Sequence, residues 1–156
     1  MKKIVIAGAL LTLAGCVQVD NYNEVVKAPA PAGLEGYWQS KGPQSEMMSP
    51  DAIASLIVTK NGDTLDCRQW QRVIATQGKL MQRDDRVYNV TSGLDIYPVE
   101  RTGNTLEYDR MTLTRVDRLT PECEQAWNKA AAAPKKRALG HRRAGSASSP
   151  RYSPDL

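Results

Sequence analysis

From residue 34 to about residue 118 the chain is a succession of short runs in which apolar and polar positions alternate. The runs are "LEGYWQS", "SLIVTK", "TLDCRQWQRVIAT", "RVYNVT", "LDIYPVE", "TLEYDR" and "MTLTRVDRL". Between them stand Asn61-Gly62-Asp63, Gln77-Gly78-Lys79, Asp84-Asp85, Ser92-Gly93 and Thr102-Gly103-Asn104. Leu56 and Val58 alternate with Ile57 and Thr59, and Met111 and Leu113 with Thr112 and Thr114. A period of two puts successive side chains on opposite faces of a strand. Such runs, broken by Gly, Asn and Asp, predict hairpins, so the fold class is mainly β: a small antiparallel β-meander or a filled barrel.

Two stretches depart from that period. "TPECEQAWNKAAAA" predicts one C-terminal helix: Thr120 caps it, Pro121 opens it, Glu122 and Glu124 suit its N-terminal dipole, and the alanines favour its continuation. As an alternative to the strand reading, "SPDAIASL" can open with a helical turn, with Ser49 as cap and Pro50 at the first position.

At the N-terminus, Met1, Lys2 and Lys3 precede an apolar run from Ile4 to Leu13, the layout of a secretory signal. Ten helical residues reach ~15 Å, half of a bilayer core, so the run is no membrane span. It ends in Leu13-Ala14-Gly15-Cys16, which resembles a bacterial lipobox. The resemblance implies cleavage before Cys16, a diacylglycerol on its thiol and an acyl chain on its new amino group. Two or three chains make such an anchor effectively permanent, at ~0.8 kcal/mol per buried methylene. In Gram-negative lipoproteins an Asp directly after this cysteine favours the inner membrane. Val17 and Gln18 stand there instead, which implies the outer membrane, with the domain facing the periplasm.

These signals divide the chain into a signal peptide (1–15), a lipid anchor and flexible tether (16–33), a β-rich periplasmic domain (34–129) and a basic low-complexity tail (130–156). In the tether, Ala28-Pro29-Ala30-Pro31 favours extended polyproline II, which would hold the domain off the bilayer. The tail is rich in Ser, Pro, Gly and Ala without apolar periodicity, and is expected to be disordered.

Net charge is +4, from 21 Lys+Arg against 17 Asp+Glu. The excess is uneven, because Lys135, Lys136, Arg137, Arg142, Arg143 and Arg151 crowd the tail against Asp155 alone, and Lys2 and Lys3 leave with the signal. The folded part is mildly acidic. With no basic stripe on the domain and an exported location, nucleic acid is excluded as a partner.

Once Cys16 is assigned to the anchor, Cys67 and Cys123 remain. An even pair in a small exported domain reads as a disulfide. A metal pair competes, but the only histidine, His141, lies in the tail, and a redox pair prefers C-x-x-C spacing. The bond would pin the helix to the strand holding Cys67, closing a loop worth roughly 4 kcal/mol.

The lipobox, followed by "NYNEVVKAPAP", "GYWQSKGPQ", "SLIVTKNGDTLDCRQWQRVIA" and "VDRLTPEC", resembles the YedD-like lipoproteins of enteric bacteria over most of residues 1–127. The tail departs from that pattern. The resemblance implies a small outer-membrane lipoprotein without an established reaction.

Catalytic chemistry is sparse: there is no serine-nucleophile motif, no histidine in the domain and no phosphate-cradling glycine loop. Asp84-Asp85, Asp63 and Asp66 sit at turns, where carboxylates commonly serve as turn formers, and calcium-loop spacing is missing. The protein is therefore read as no enzyme, with no metal and no cofactor beyond the lipid on Cys16.

Three binding readings follow. Gly36-Tyr37-Trp38 resembles the G-x-W signature of lipocalins, which would imply a cavity for an apolar ligand, although eight long strands need more residues than the domain offers. A modulator of a periplasmic or cell-wall enzyme is favoured, since small β-barrel lysozyme inhibitors share an anchor and a disulfide. Their Ser-Gly-x-x-Tyr loop is approximated by Ser92, Gly93 and Tyr97. A purely structural envelope protein is the third. Trp38, Trp70 and Trp127 are core candidates in a chain without Phe, and hot spots wherever exposed. The candidate partner-binding residues are Tyr37, Trp38, Trp70 and Arg72.

Overall fold

The computed structural model describes residues 17–42 and 52–133. Eight antiparallel strands close a barrel in sequential order: β1 (Gly36–Gln39), β2 (Ile53–Val58), β3 (Asp63–Gln69), β4 (Val73–Arg83), β5 (Arg86–Thr91), β6 (Ile96–Thr102), β7 (Thr105–Tyr108) and β8 (Met111–Val116). β1 closes the barrel by pairing with both β2 and β8, Tyr37 lying opposite Ile57 and Val116. The objection that eight strands would not fit is corrected here. Strands as short as four residues, joined by tight turns, need little chain.

The turns show how that economy is reached. The pairs Arg83↔Arg86, Thr102↔Thr105 and Tyr108↔Met111 each leave a two-residue loop. Asp84 and Asp85 (φ 49° and 61°) and Asp109 and Arg110 (φ 46° and 60°) both lie in the left-handed region that such hairpins require.

Two expectations about β4 are corrected. Gln77-Gly78-Lys79 is not a turn but the middle of this long strand. A Cβ at Gly78 would fall within 2.6 Å of both Thr64 Oγ1 and Asn89 Oδ1, so the glycine permits close approach inside the wall rather than reversal. Conversely, "TLDCRQWQRVIAT" is not one strand. The chain reverses at Trp70, Gln71 and Arg72, where the Trp70 amide donates to the Arg72 carbonyl.

The residues read as a flexible tether pack on the barrel instead. A 3₁₀ turn over Tyr22–Glu24 is followed by buried Val25 and Leu34. The Ala28 amide donates to Leu80 O at 2.9 Å, the Ala30 amide to Lys60 O at 3.0 Å, and Lys27 pairs with Asp63 at 2.8 Å. Val25 and Leu34 supply the apolar burial that the proline-rich composition hides. This segment covers the end of the barrel that holds the β2–β3 turn; the β3–β4 hairpin with Trp70 lies at the opposite end.

Helix α1 (Pro121–Ala132) begins as expected, with Thr120 Oγ1 accepting the Cys123 amide at 3.3 Å. It runs through Ala132, so Ala130 continues the helix that its alanine-rich sequence favours, past the boundary drawn for the tail. Cys123 is its sole buried residue, and it is bonded to Cys67 of β3 across a Cα–Cα distance of 6.0 Å. Cys16, the turn expected at Ser49 and Pro50, and the basic tail beyond 133 lie outside the described residues.

Candidate functional site

The barrel interior is occupied. Trp38, Leu56, Leu80, Leu106, Tyr108 and Leu113 are buried in one cluster. Trp38 donates from Nε1 to Leu34 O at 2.9 Å, and the Arg115 guanidinium stacks 4.9 Å from its ring. This corrects Trp38 as a binding residue. It is a core side chain with no exposed surface, held from below by the docked N-terminal segment.

A polar chain threads the same interior. Thr64 Oγ1 donates to Asn89 Oδ1, Asn89 Nδ2 to Tyr108 Oη at 2.7 Å, and Tyr108 Oη to Asp66 Oδ2 at 2.9 Å. Arg68 grips both Asp66 oxygens, reaches Asp109 at 3.0 Å, and lies 5.7 Å from the Tyr108 ring centroid. Burial pushes the Tyr108 phenol well above its ordinary value, and the Asp66 carboxylate adds to the shift. Burial alone would lower the Arg68 pKa, but bonding to Asp66, then to Asp109, more than offsets it and keeps the guanidinium charged. Both oxygens of Asp66 are thus committed to structure. Among the described residues no group of three or more His, Cys, Asp or Glu side chains could hold a metal.

The outer surface is where apolar groups lack cover. Among the described residues the exposed large hydrophobic side chains are Val26, Trp70, Val73, Ile74 and Leu94, and all but Val26 belong to the β3–β4 hairpin or the β5–β6 loop. That loop meets the hairpin strand directly, because the Ser92 amide donates to Gln77 O at 2.7 Å. Leu94 adopts φ 70°, uncommon and costly for a branched residue, yet its side chain faces solvent. Trp70 is 55% exposed. At the base of the hairpin, Gln69 leaves Oε1 buried without a hydrogen-bond partner among the described residues.

The sequence candidates do not converge. Trp70 and Arg72 share the exposed hairpin turn, Tyr37 is half-buried in β1, and Trp38 is inside. Val73, Ile74 and Leu94 were missed. The consecutive apolar pair after "QWQR" was a usable signal for the first two; nothing in the sequence marked Leu94. Trp127 is half-buried on α1.

Alongside this hairpin runs a groove of about 580 Å³ between α1 and the strands, lined by Leu65, Val73, Ala75, Gln77, Ala126 and Lys129 among others. A second, of about 470 Å³, lies where the docked N-terminal segment crosses Met81, Gln82 and Arg83. Both are outside the barrel wall.

A family model described as "Bacterial lipocalin LPS transport optimiser YedD" matches residues 19–127. The chain belongs to the YedD family. Its relatives include the lipoprotein YedD of Salmonella typhimurium, 68% identical over 129 residues (83% of this chain, 92% of the relative). The lipoprotein YedD of Escherichia coli is 65% identical over 130 residues (83% and 95%). The crystal structure of lipoprotein YedD from Klebsiella pneumoniae matches with a TM-score of 0.70 at 76% identity, covering 74% of this chain and all of that one. As a YedD-family lipoprotein, this chain is a membrane-anchored protein of the cell envelope.

Proposed function

We propose that this protein is a non-catalytic module of the outer membrane, facing the periplasm, that assists lipopolysaccharide transport by binding a protein of that machinery through the barrel end carrying Trp70. The observation that carries the reading is the filled interior. With Trp38, Tyr108 and the surrounding leucines buried in contact, recognition falls to the outer surface. The family description moves the partner from the cell-wall enzyme expected from sequence to lipopolysaccharide transport.

The docked N-terminal segment supports an orientation. Acylation at Cys16 would leave only a few residues before the chain packs on the barrel at Tyr22–Leu34. The barrel end holding the β2–β3 turn then rests near the bilayer, and Trp70 points away from it. Val17 and Gln18 after the cysteine favour the outer membrane. A non-catalytic role is supported by Asp66, whose oxygens are held by Arg68 and Tyr108.

A second reading, a lipocalin-like carrier of an apolar ligand, is favoured by the closed eight-stranded barrel. It would require the packed interior to open.

The test is complementation in a strain lacking its own copy. Full-length Trp70→Ala should be made and anchored at normal levels, yet fail to restore exclusion of large hydrophobic antibiotics by the outer membrane. Full restoration would overturn the reading. A stoichiometric lipid extracted from the purified native protein would establish the carrier instead.

A further inference from the structure

The wall of the barrel is incomplete along one strand. β3 pairs with β4 from Gln69↔Val73 to Asp63↔Lys79, whereas β5 joins β4 only from Gly78↔Thr91 onward. Residues 73–77 therefore have a strand partner on one side alone among the described residues, apart from the bond between Ser92 and the Gln77 carbonyl.

The direction of the backbone groups follows from the hydrogen bonds they make. Trp70 N donates to Arg72 O and Leu80 N to Gly62 O, so even-numbered positions turn their amides and carbonyls toward β3. Gln77 O turns the other way, to Ser92. By the alternation of a strand, Val73 and Ala75 direct their N–H and C=O groups out from the open side. Proteins commonly blunt such edges with Lys, Pro or a bulge, because an unpaired edge is a template for another strand. Here neither Lys nor Pro stands among residues 73–77, and Val73, Ile74 and Trp70 are exposed beside the edge.

We propose that this open edge takes an extended segment of a partner protein as an added strand. Its backbone bonds to Val73 and Ala75, and its alternate side chains enter the groove beneath α1. The proposal rests on the protein-binding reading of the Trp70 end. The groove lies on the face where Val73, Ala75 and Gln77 project, opposite Glu122, Ala126 and Lys129 of the helix. An edge that supplies main-chain bonds beside a groove that sorts alternate side chains is the arrangement used in strand-addition recognition. Glu122 and Lys129 add opposite charges that can fix direction along the groove. A lipid acyl chain would fill the groove but leave the outward amides unsatisfied. A second copy, pairing antiparallel about Ile74, would offer only Val73 and Ala75 to a space of about 580 Å³. A partner segment with larger apolar side chains fits both features.

The experiment places a benzophenone amino acid at Gln77 of the full-length, anchored chain in its native envelope, and maps photoadducts by mass spectrometry. The expected adduct falls within one contiguous segment of a single partner protein. Val73→Pro and Ala75→Pro, which each delete an outward amide without touching the β3 ladder, should cut its yield about tenfold, the scale of one main-chain hydrogen bond. Val73→Ala, which keeps the amide, should not. Melting of the purified variants checks that they fold; should the proline variants unfold, Ile74→Lys, an edge charge, must give the same loss. Protein adducts indifferent to every edge variant would overturn strand addition and leave the protein-binding reading standing. An adduct of twice the chain's mass would put a second copy on the edge and overturn the proposal. A lipid adduct, or no adduct, would overturn both.

Discussion

The phenol of Tyr108 donates to Asp66 inside the barrel at 2.9 Å, and the same oxygen accepts from Asn89 at 2.7 Å. One hydroxyl thus satisfies two buried polar groups of different strands, and Thr64 and Arg68 satisfy what remains of them. Partly satisfied, such a network costs more than an apolar core would, because each orphaned group keeps its desolvation penalty.

Tyr108→Phe should therefore destabilise although it keeps the ring and its edge-on contact with Tyr97. It leaves the Asn89 amide without its acceptor and Asp66 short of one donor, an expected loss of about 1–3 kcal/mol. Chemical denaturation of the purified protein measures it. A change below about 0.5 kcal/mol would mean that the network is not formed in solution.

The same hydroxyl sets a response to alkaline pH. Burial raises the pKa of Tyr108, and also of Tyr97 and Tyr22, so the folded state keeps protons that the unfolded state releases near pH ~10. A raised folded-state value gives stability that is complete below that pH and is lost as pH rises above it, by up to ~1.4 kcal/mol per unit for the buried Tyr108 phenol and by less for the partly exposed Tyr97 and Tyr22, where solvent screens the effect. Unfolding free energy should be insensitive to tyrosine titration at pH 7–9 and fall above 10. Tyr108→Phe should flatten that fall, and an unchanged slope would refute the assignment.

Reduction should act on the helix before the barrel. Cys123 is the one buried residue of α1, so the bond to Cys67, spanning 56 residues, supplies much of what holds the helix in place. On the chain-entropy model the bond is worth about 4 kcal/mol. In reductant, the backbone amides of α1 after Pro121 should exchange much faster than those of β2 and β3, and the melting temperature should drop. Uniform loss of protection would place the bond's effect on the whole domain instead.

What the sequence made legible was local. Period-two runs, the Asp84-Asp85 reversal, the Thr120 cap and the Cys67–Cys123 pair each rest on a few adjacent residues or on elimination. What it hid depends on distant contacts. Gly78 reads as a turn until Thr64 and Asn89 are seen crowding its α-carbon. The proline-rich segment reads as tether until Leu80 and Lys60 accept its amides. The reversal at Trp70, Gln71 and Arg72 lacks Gly, Asn and Pro, and the open edge of β4 is set by where β5 begins to pair. Trp38 and Trp70 are equivalent letters in the sequence; the fold alone separates core from surface.

Anchoring is expected to depend on one thiol. Cys16→Ser should abolish labelling by a fatty-acid analogue and leave the precursor uncut by the lipoprotein signal peptidase, since the acylated sulfur is what that enzyme requires. Labelling that survives the change would refute Cys16 as the acylated residue.

Trp38 and Trp70 should part company when each is cut to alanine. Trp38→Ala removes a fully buried ring that bonds Leu34 and stacks under Arg115, an expected loss of about 3–5 kcal/mol, enough to unfold much of a small domain. Trp70 is more than half exposed at a hairpin tip, so Trp70→Ala should shift stability by no more than about 0.5 kcal/mol while weakening partner recovery in crosslinked pull-downs from the envelope. Deletion of residues 134–156 should leave both melting and recovery unchanged, because the hairpin, the open edge and the groove all lie within residues 65–133. Should the tail deletion lose the partner while Trp70→Ala keeps it, binding belongs to the basic segment, and the folded surface is not the site.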